Sequence, residues 1–154
     1  LDQKKNAYEI SENLSLLAAE KILENVNQIL EDKANFVDQD DSKATYAEKI
    51  DKIEGKINWN ENALNILGKI NGLFPVPGAF FNFKGERYKI LKAQIGNGGI
   101  GKAGEVLSNQ LEIACGNKQS IKILEIQRQG KKPQKTNDFM LGTSIKKGLV
   151  IFDV

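Results

Sequence analysis

The feature that most constrains this chain is an abrupt break in its sequence pattern at residues 75–78. This segment contains two prolines and a glycine. Proline fixes φ and has no backbone N–H, and glycine readily adopts positive φ, so a preceding helix has to end here. Two runs rich in β-forming residues follow, one on each side of the glycine-containing turn Lys84-Gly85-Glu86. The pattern therefore predicts that a helix stops before this break and that a β-hairpin begins after it.

Two segments before the break have the periodicity of amphipathic helices. Apolar residues recur every three or four positions from Asn6 to Leu30, which predicts one helix or two short helices placed end to end. Asn60 is expected to cap a second helix, from Glu61 to about Asn71, because its side chain accepts hydrogen bonds from free backbone N–H groups. The intervening residues are highly charged and lack periodicity, so they indicate a linker that Trp59 anchors to the core.

After the hairpin, short apolar runs alternate with turn residues. The predicted strands are Glu105–Ser108, Leu111–Cys115 and Gln119–Gln127. Thr136 is expected to cap a short helix that ends at Gly142. Together these elements predict a mainly β fold with flanking helices, in which a small OB-like β-barrel is preceded by an amphipathic helix and a linker.

The glycine-rich string at residues 96–101 allows two interpretations. Its spacing is similar to that of phosphate-binding loops, which place the N-terminus of a helix against the anion. Here a predicted strand, Glu105–Ser108, follows the glycines instead of a helix. A flexible hairpin loop is therefore the preferred interpretation.

The residue types limit the chemistry that this chain can perform. The sequence contains no histidine and one cysteine, which excludes histidine-based catalysis, histidine metal sites and an internal disulfide. Cys115 is interpreted as a small buried hydrophobe of the core. Asp38, Asp40 and Asp41 lack the glycine and the distal glutamate of a calcium loop, so a solvated linker is preferred. We expect no catalytic site and no metal site, and no apolar run reaches the roughly 18 residues that a membrane-spanning helix needs.

Charge is distributed unevenly along the chain. The net charge is +2, but residues 1–59 contain 8 Lys against 13 Asp and Glu, a net charge of −5. Residues 60–154 contain 14 Lys and Arg against 7 Asp and Glu, a net charge of +7. A basic second half favours a polyanionic partner such as nucleic acid. The loop containing Lys131, Lys132 and Lys135 either contacts phosphates or is a solvated turn, and the charge of its domain favours phosphate contact.

The order of several motifs resembles that of the methionyl-tRNA formyltransferase family. The resemblance covers about residues 44–142 and rests on four segments: Ala44-Thr45-Tyr46-Ala47-Glu48-Lys49-Ile50 with Ile57-Asn58-Trp59, Phe74–Ala93, Gly101–Val106, and Leu124–Pro133 leading to Phe139-Met140-Leu141-Gly142. The first predicted helix resembles the last helical segment of the family's catalytic domain. Three departures are expected to lie in turns and to leave the fold unchanged: Asn58 for the usual Asp, Gln134 for Met, and Gly116-Asn117-Lys118 for Gly-Asp-Gly.

This resemblance implies a domain organisation and a parent activity. Residues 1–33 would be a helical remnant of a Rossmann-like catalytic domain, 34–59 a linker, and 60–154 the OB-like C-terminal tRNA-binding domain. The family transfers a formyl group from 10-formyltetrahydrofolate to the methionine of initiator methionyl-tRNA, using catalytic residues of the N-terminal domain. Leu1 is not an initiator methionine, so we expect the chain to be a fragment. The lack of histidine predicts that this fragment is inactive alone. The resemblance implies that the missing domain binds the folate and that the parent enzyme is cytoplasmic and monomeric.

The resemblance also indicates which residues would contact tRNA. Lys49 and Lys52 match lysines of the family's linker that lie near the acceptor end of the tRNA. The basic face of the barrel would hold the acceptor arm through phosphate contacts, which supply affinity but little sequence readout. The predicted contacts of this face are Lys84, Arg87, Lys89, Lys92, Lys131, Lys132 and Lys135.

Two other functions remain open from the sequence. Related formyltransferases that act on a nucleotide sugar or on free folate carry a similar barrel as a structural or dimerising module. A free-standing nucleic-acid-binding module is the second alternative. The basic Gly130–Pro133 loop and the +7 charge of the second half favour tRNA.

Overall fold

The computed structural model describes residues 5–151. The described residues divide into two compact units: Tyr8–Ile50, called here the helical unit, and residues 51–151 together with residues 5–7, called the sheet unit. The domain boundaries after residues 33 and 59 stay a prediction. The first and last predicted domains include residues 1–4 and 152–154, which lie outside the described residues.

The helical unit consists mainly of one long helix, α1, which spans Ala7–Leu30 and so begins one residue before the unit. The predicted helix is confirmed as a single continuous element, and no side chain within it is buried. A short 3-10 turn follows at Asp41–Lys43, where the Asp40 carboxylate accepts hydrogen bonds from the backbone and side chain of Ser42. Lys43 lies 2.9 Å from the same carboxylate, and these contacts lower the pKa of Asp40. The acidic segment therefore forms a local turn, and the described residues contain no group of metal-ligating side chains.

The sheet unit begins with a 3-10 turn at Lys52–Gly55 and continues into helix α2, Ala63–Gly72. Trp59, which lies between these elements in the chain, is buried as expected, and its ring contacts Phe81. The predicted cap was wrong by two residues, because Asn62 caps α2 by accepting a hydrogen bond from the N–H of Asn65. Asn60 instead belongs to a turn in which Asn58 accepts its backbone N–H and its side-chain amide. This turn satisfies Asn60 locally and delays the start of the helix.

Six strands of the described chain form one antiparallel sheet in the order β1-β2-β5-β4-β3, with β6 paired to β5. Their bounds are Ala79–Phe83 (β1), Glu86–Ile95 (β2), Val106–Ser108 (β3), Glu112–Ala114 (β4), Ser120–Arg128 (β5) and Gln134–Lys135 (β6). The final helix, α3, covers Thr136–Gly142. A mainly β fold with flanking helices is thus confirmed.

The predicted β-hairpin corresponds to β1 and β2. Lys84 and Gly85 connect the two strands with φ values of 51° and 77°, the left-handed conformation that a two-residue hairpin turn requires. Strand β2 is long, and its pairing with β5 shifts register on both sides of Lys92. Such a bulge bends a strand and redirects its side chains. The bulge lies beyond Ile90, the last residue of β2 that pairs with β1.

The sheet is open, so it resembles a barrel only approximately. Strands β1 and β3 stand at opposite ends of the strand order. Single bridges extend the sheet beside these two strands, from Lys56 to Phe80 and from Glu105 to Val150. The glycine-rich segment before β3 is a loop that leads into a strand, as expected. The prediction of a hairpin loop was wrong, because β2 pairs with β5 and β3 pairs with β4, so the strands that this loop connects are not neighbours in the sheet.

The core lies between α2, α3 and one face of the sheet. An aromatic chain runs through it, in which Phe81 contacts both Trp59 and Tyr88, and Tyr88 contacts Phe139. Thr136 is the first residue of α3 and not its cap, which corrects the prediction. Its hydroxyl donates instead to the carbonyl of Ile123 at 2.7 Å and is buried there.

Among residues 5–151, no helix combines the length and the apolar character needed to cross a membrane.

Candidate nucleic-acid interface

An open groove at one end of the sheet unit collects four cationic side chains. Its volume is about 730 Å³, and we call it the basic groove. Lys84 reaches it from the β1–β2 turn, Arg128 from the last residue of β5, and Lys131 and Lys132 from the loop that follows. The lining contains two carboxylates, Glu86 and Asp138, so its cations are in excess. A lining of this kind is suited to phosphate groups.

One of these cations is held in place by a long-range ion pair. Glu86 opens β2, and its carboxylate accepts hydrogen bonds from the Arg128 guanidinium and from the Tyr88 hydroxyl, the latter at 3.0 Å. Both donors lower the pKa of Glu86, with Arg128 the larger cause. Glu86 therefore remains ionised and fixes the direction of Arg128 at the edge of the groove.

Sequence reasoning did not include Arg128 among the predicted contacts. Its partner Glu86 lies 42 positions earlier in the chain, and the two meet because Tyr88 of β2 is opposite Arg128 of β5. No local sequence motif predicts the contact between Glu86 and Arg128. Only the order of the strands brings the guanidinium to the groove.

Two of the predicted contacts lie on the opposite side of β2. Side chains alternate between the faces of a strand, so Arg87 and Lys89 point away from Tyr88. The Arg87 guanidinium stacks 3.9 Å from the centre of the Phe80 ring, a cation–π contact that shields a buried aromatic side chain. Lys89 crosses the backbone at Gly78, where its methylene groups occupy the space that a side chain would need. Both residues therefore have a packing role on this face.

A second basic groove, of about 430 Å³, contains two further predicted contacts. Lys92 and Lys135 line it from β2 and β6, because each is opposite Glu125 of β5. Lys122, which sequence reasoning did not select, lines the same groove and donates to Gln110. The predicted barrel contacts thus fall into separate groups instead of one continuous face.

The two predicted linker contacts belong to different units. Lys49 is exposed near the end of the helical unit, and Lys52 is exposed at the start of the sheet unit. Their involvement in tRNA binding stays a prediction.

The single cysteine is not a nucleophile in this environment. Cys115 is 3% exposed, and burial raises the pKa of its thiol from 9.0 to about 11. A high pKa keeps the sulfur protonated, and the thiolate is the reactive form. The expected structural role of Cys115 agrees with its buried position.

We expect Cys115 to resist thiol reagents in the folded protein. The change in pKa lowers the thiolate fraction near pH 8 about 100-fold, and burial excludes the reagent as well. A thiol assay at pH 8 should therefore show almost no reaction until denaturant is added, and then one equivalent. Rapid stoichiometric reaction of the native chain would contradict this expectation.

Comparison with known proteins identifies relatives along almost the whole chain. The family model described as formyl transferase, C-terminal domain, matches residues 49–144. The chain is 64% identical to the methionyl-tRNA formyltransferase of Pelagibacter ubique over 97% of its own length and 48% of that protein. It is 38% identical to the methionyl-tRNA formyltransferase of Rhodopseudomonas palustris over 94% of its length and 47% of that protein. The chain therefore spans about half the length of these relatives.

Solved structures support the fold. HypX from Aquifex aeolicus superposes with a TM-score of 0.71 over 96% of this chain and 28% of its own, at 17% sequence identity. A second HypX structure, in complex with tetrahydrofolic acid, superposes with a TM-score of 0.64 over 84% of this chain and 24% of its own. At this level of identity the likeness concerns the fold alone.

Proposed function

This chain belongs to the formyl transferase C-terminal domain family, and from that premise we propose that it is the tRNA-binding part of a methionyl-tRNA formyltransferase. The parent enzyme would formylate the methionine of initiator methionyl-tRNA, with 10-formyltetrahydrofolate as the formyl donor. The names of the similar proteins support this substrate over a nucleotide sugar or free folate. The proposal also places the protein in the cytoplasm, in translation initiation, as a monomer.

In this proposal the chain contributes binding and no chemistry. The sequence has no histidine, its thiol is buried, and the described residues contain no group of metal-ligating side chains. The part of the relatives that this chain does not match would hold the folate and the reacting amino group. The sheet unit would hold the tRNA so that its aminoacyl end reaches that second part.

The basic groove is the observation that carries this proposal. Lys131 and Lys132 are exposed in the loop after β5, and Lys84 and Arg128 lie on the same lining. Exposed lysines bind phosphates by charge and release counterions when they do so. Arg128 already has a carboxylate partner, so the lysines would supply most of the salt-dependent affinity.

The groove that contains Lys92, Lys122 and Lys135 would add weaker contacts to the same RNA. Glu125 lies between two of these lysines in the sheet register and partly offsets their charge. Lys49 and Lys52 would contact the RNA near its acceptor end. Lys89 and Arg87 would contribute only general positive charge, because their side chains pack against Gly78 and Phe80.

We expect the double substitution Lys131→Ala and Lys132→Ala to weaken tRNA binding and to reduce its salt dependence. On duplex nucleic acid, each neutralised phosphate contributes about 0.9 to the slope of log affinity against log salt concentration. The absolute value of this slope should therefore be smaller in the double variant than in the unchanged chain, by up to about two. Fluorescence anisotropy of labelled tRNA with the 154-residue chain, at several salt concentrations, measures this change.

The matched control is the double substitution Lys146→Ala and Lys147→Ala. It removes the same charge from two exposed lysines that do not line the basic groove. We expect a clearly smaller change in slope for this pair. Equal effects of the two pairs would show that the unit is attractive to polyanions in general, and the proposed role of the groove would be lost.

A further inference from the structure

The basic groove contains more than phosphate contacts require. Its floor includes three aromatic side chains, Phe83, Tyr88 and Phe139. The groove is open, and its volume of about 730 Å³ leaves room for a small molecule. A surface that only tracks the backbone of a duplex needs exposed cations and no aromatic floor. The groove therefore has the composition of a site for a molecule with both an aromatic ring and an anionic group.

The three rings form one connected cluster with an accessible end. Tyr88 and Phe139 are buried, at 5% and 6% exposure, and their ring centres are 5.8 Å apart. Phe83 is half-buried, and its ring centre lies 6.5 Å from that of Tyr88. The buried pair therefore supports Phe83, which presents part of its ring to the groove. A ring held in this way loses little conformational freedom when a ligand stacks on it.

The neighbouring residue Lys84 makes a cation–π contact with the face of this ring. The Lys84 ammonium lies 5.4 Å from the centre of the Phe83 ring. Lys84 follows Phe83 in the exposed hairpin turn, and its long side chain can move away while it remains at the groove. An incoming ring would replace the ammonium over Phe83, and the displaced lysine would be available to an anionic group of the same ligand.

Polar groups complete the lining. Gln134, Thr143 and Ser144 carry amide and hydroxyl groups at the wall, which can donate to and accept from the edge of a base. Lys131 and Lys132 lie at the rim and are exposed. The lining therefore combines an aromatic face, hydrogen-bonding groups and cations.

We propose that the basic groove binds a single unpaired nucleotide, with its base against Phe83 and its phosphate near Lys131 and Lys132. Bases inside a duplex are stacked on each other and cannot reach an aromatic side chain, whereas unpaired bases stack on such rings with little dependence on sequence. The nucleotide is either a free mononucleotide or an unpaired residue of an RNA, and the second source rests on the proposed function. The groove would then distinguish RNA with unpaired residues from a continuous duplex.

The test uses the 154-residue chain and two pairs of ligands. Adenosine 5′-monophosphate is compared with ribose 5-phosphate, which lacks the base, by chemical-shift titration. A blunt RNA hairpin is compared with the same hairpin carrying a four-nucleotide 3′ overhang, by anisotropy. We expect the monophosphate to shift the amides around Phe83 more strongly than ribose 5-phosphate does, and the overhang to increase affinity.

Substitution of Phe83 separates stacking from charge. Phe83→Leu keeps an apolar side chain but removes the ring, and it should reduce the affinity gained from the overhang by roughly 5- to 150-fold, the range for one stacked base. Phe83→Tyr keeps the ring and should keep the overhang effect. Phe36→Leu, at an exposed phenylalanine of the helical unit, should change nothing. Equal thermal unfolding of these variants shows that the fold is intact.

The outcomes separate this inference from the proposed function. If the monophosphate and the overhang have no advantage, or if Phe83→Leu and Phe83→Tyr behave alike, the nucleotide site is overturned while binding of the blunt hairpin still supports tRNA binding. If the monophosphate binds at Phe83 but neither RNA binds, the site takes a free nucleotide and the tRNA proposal fails.

Discussion

Replacing Phe81 by Ala should lower the free energy of unfolding of the sheet unit by about 3–5 kcal/mol, the range for removing a buried aromatic ring. Phe81 lies in β1 and is fully buried. Its ring stacks on Tyr88 at a centre distance of 5.4 Å and also contacts Trp59 at 5.9 Å. The substitution removes the link between the arm that carries Trp59 and the hairpin. The loss includes both the transfer of the ring and the cavity that remains.

Urea unfolding followed by circular dichroism measures this effect, because the sheet contributes the β signal. Phe36→Ala is the matched control, since it deletes the same atoms from a residue of the helical unit that is 79% exposed. Its effect should stay within about 0.5 kcal/mol. If both variants lose the same stability, Phe81 is not central to the core.

The fold was predictable where local sequence determines local structure. The break at residues 75–78 and the turn at Lys84-Gly85 act through backbone conformation, so the hairpin could be placed from a few residues. Strand β5 was predictable because its apolar residues form a long β-rich run between two turns. These elements need no knowledge of their partners.

Other features depend on contacts between distant residues and could not be predicted. Asn60 and Asn62 are both suitable caps, and the choice between them follows from the turn around Asn58. Thr136 has the composition of a cap, but its hydroxyl satisfies the carbonyl of Ile123 in the neighbouring strand. The sheet stays open between β1 and β3 because these strands end up at opposite ends of the strand order. A short sequence motif does not predict that order.

The candidate site was predictable only in part for the same reason. The charge of the loop containing Lys131 and Lys132 is visible in the sequence, because loop lysines are exposed almost wherever the loop lies. The direction of Arg87 depends on the alternation along β2 and on its contact with Phe80. The placement of Arg128 depends on Glu86. A list of cations therefore indicates a polyanion partner, but the sheet register decides which cations face it.

Gly116→Ala should destabilise the sheet unit by at least about 3 kcal/mol, at the upper end of the usual cost of overpacking. A Cβ at this position would lie 1.9 Å from the carbonyl oxygen of Asn60 and 2.6 Å from its carbonyl carbon. These are backbone atoms, so no side-chain rotation can relieve the overlap. The N–H of Gly116 also donates to the carbonyl of Glu61 at 3.0 Å. The turn between β4 and β5 is thus fastened directly to the segment that starts α2.

The control for this prediction is a glycine-to-alanine substitution at a second position, Gly68, where the expected change in stability has the opposite sign. Gly68 is exposed within α2, and a Cβ there would meet nothing within 4 Å. Gly68→Ala should stabilise the unit by about 0.5–1 kcal/mol, because alanine is the better helix former and restricts the unfolded chain. Urea unfolding of the two variants measures both changes. A loss below 1 kcal/mol for Gly116→Ala would mean that the turn and the start of α2 can separate without disturbing the sheet, and that the two elements are not one cooperative structure.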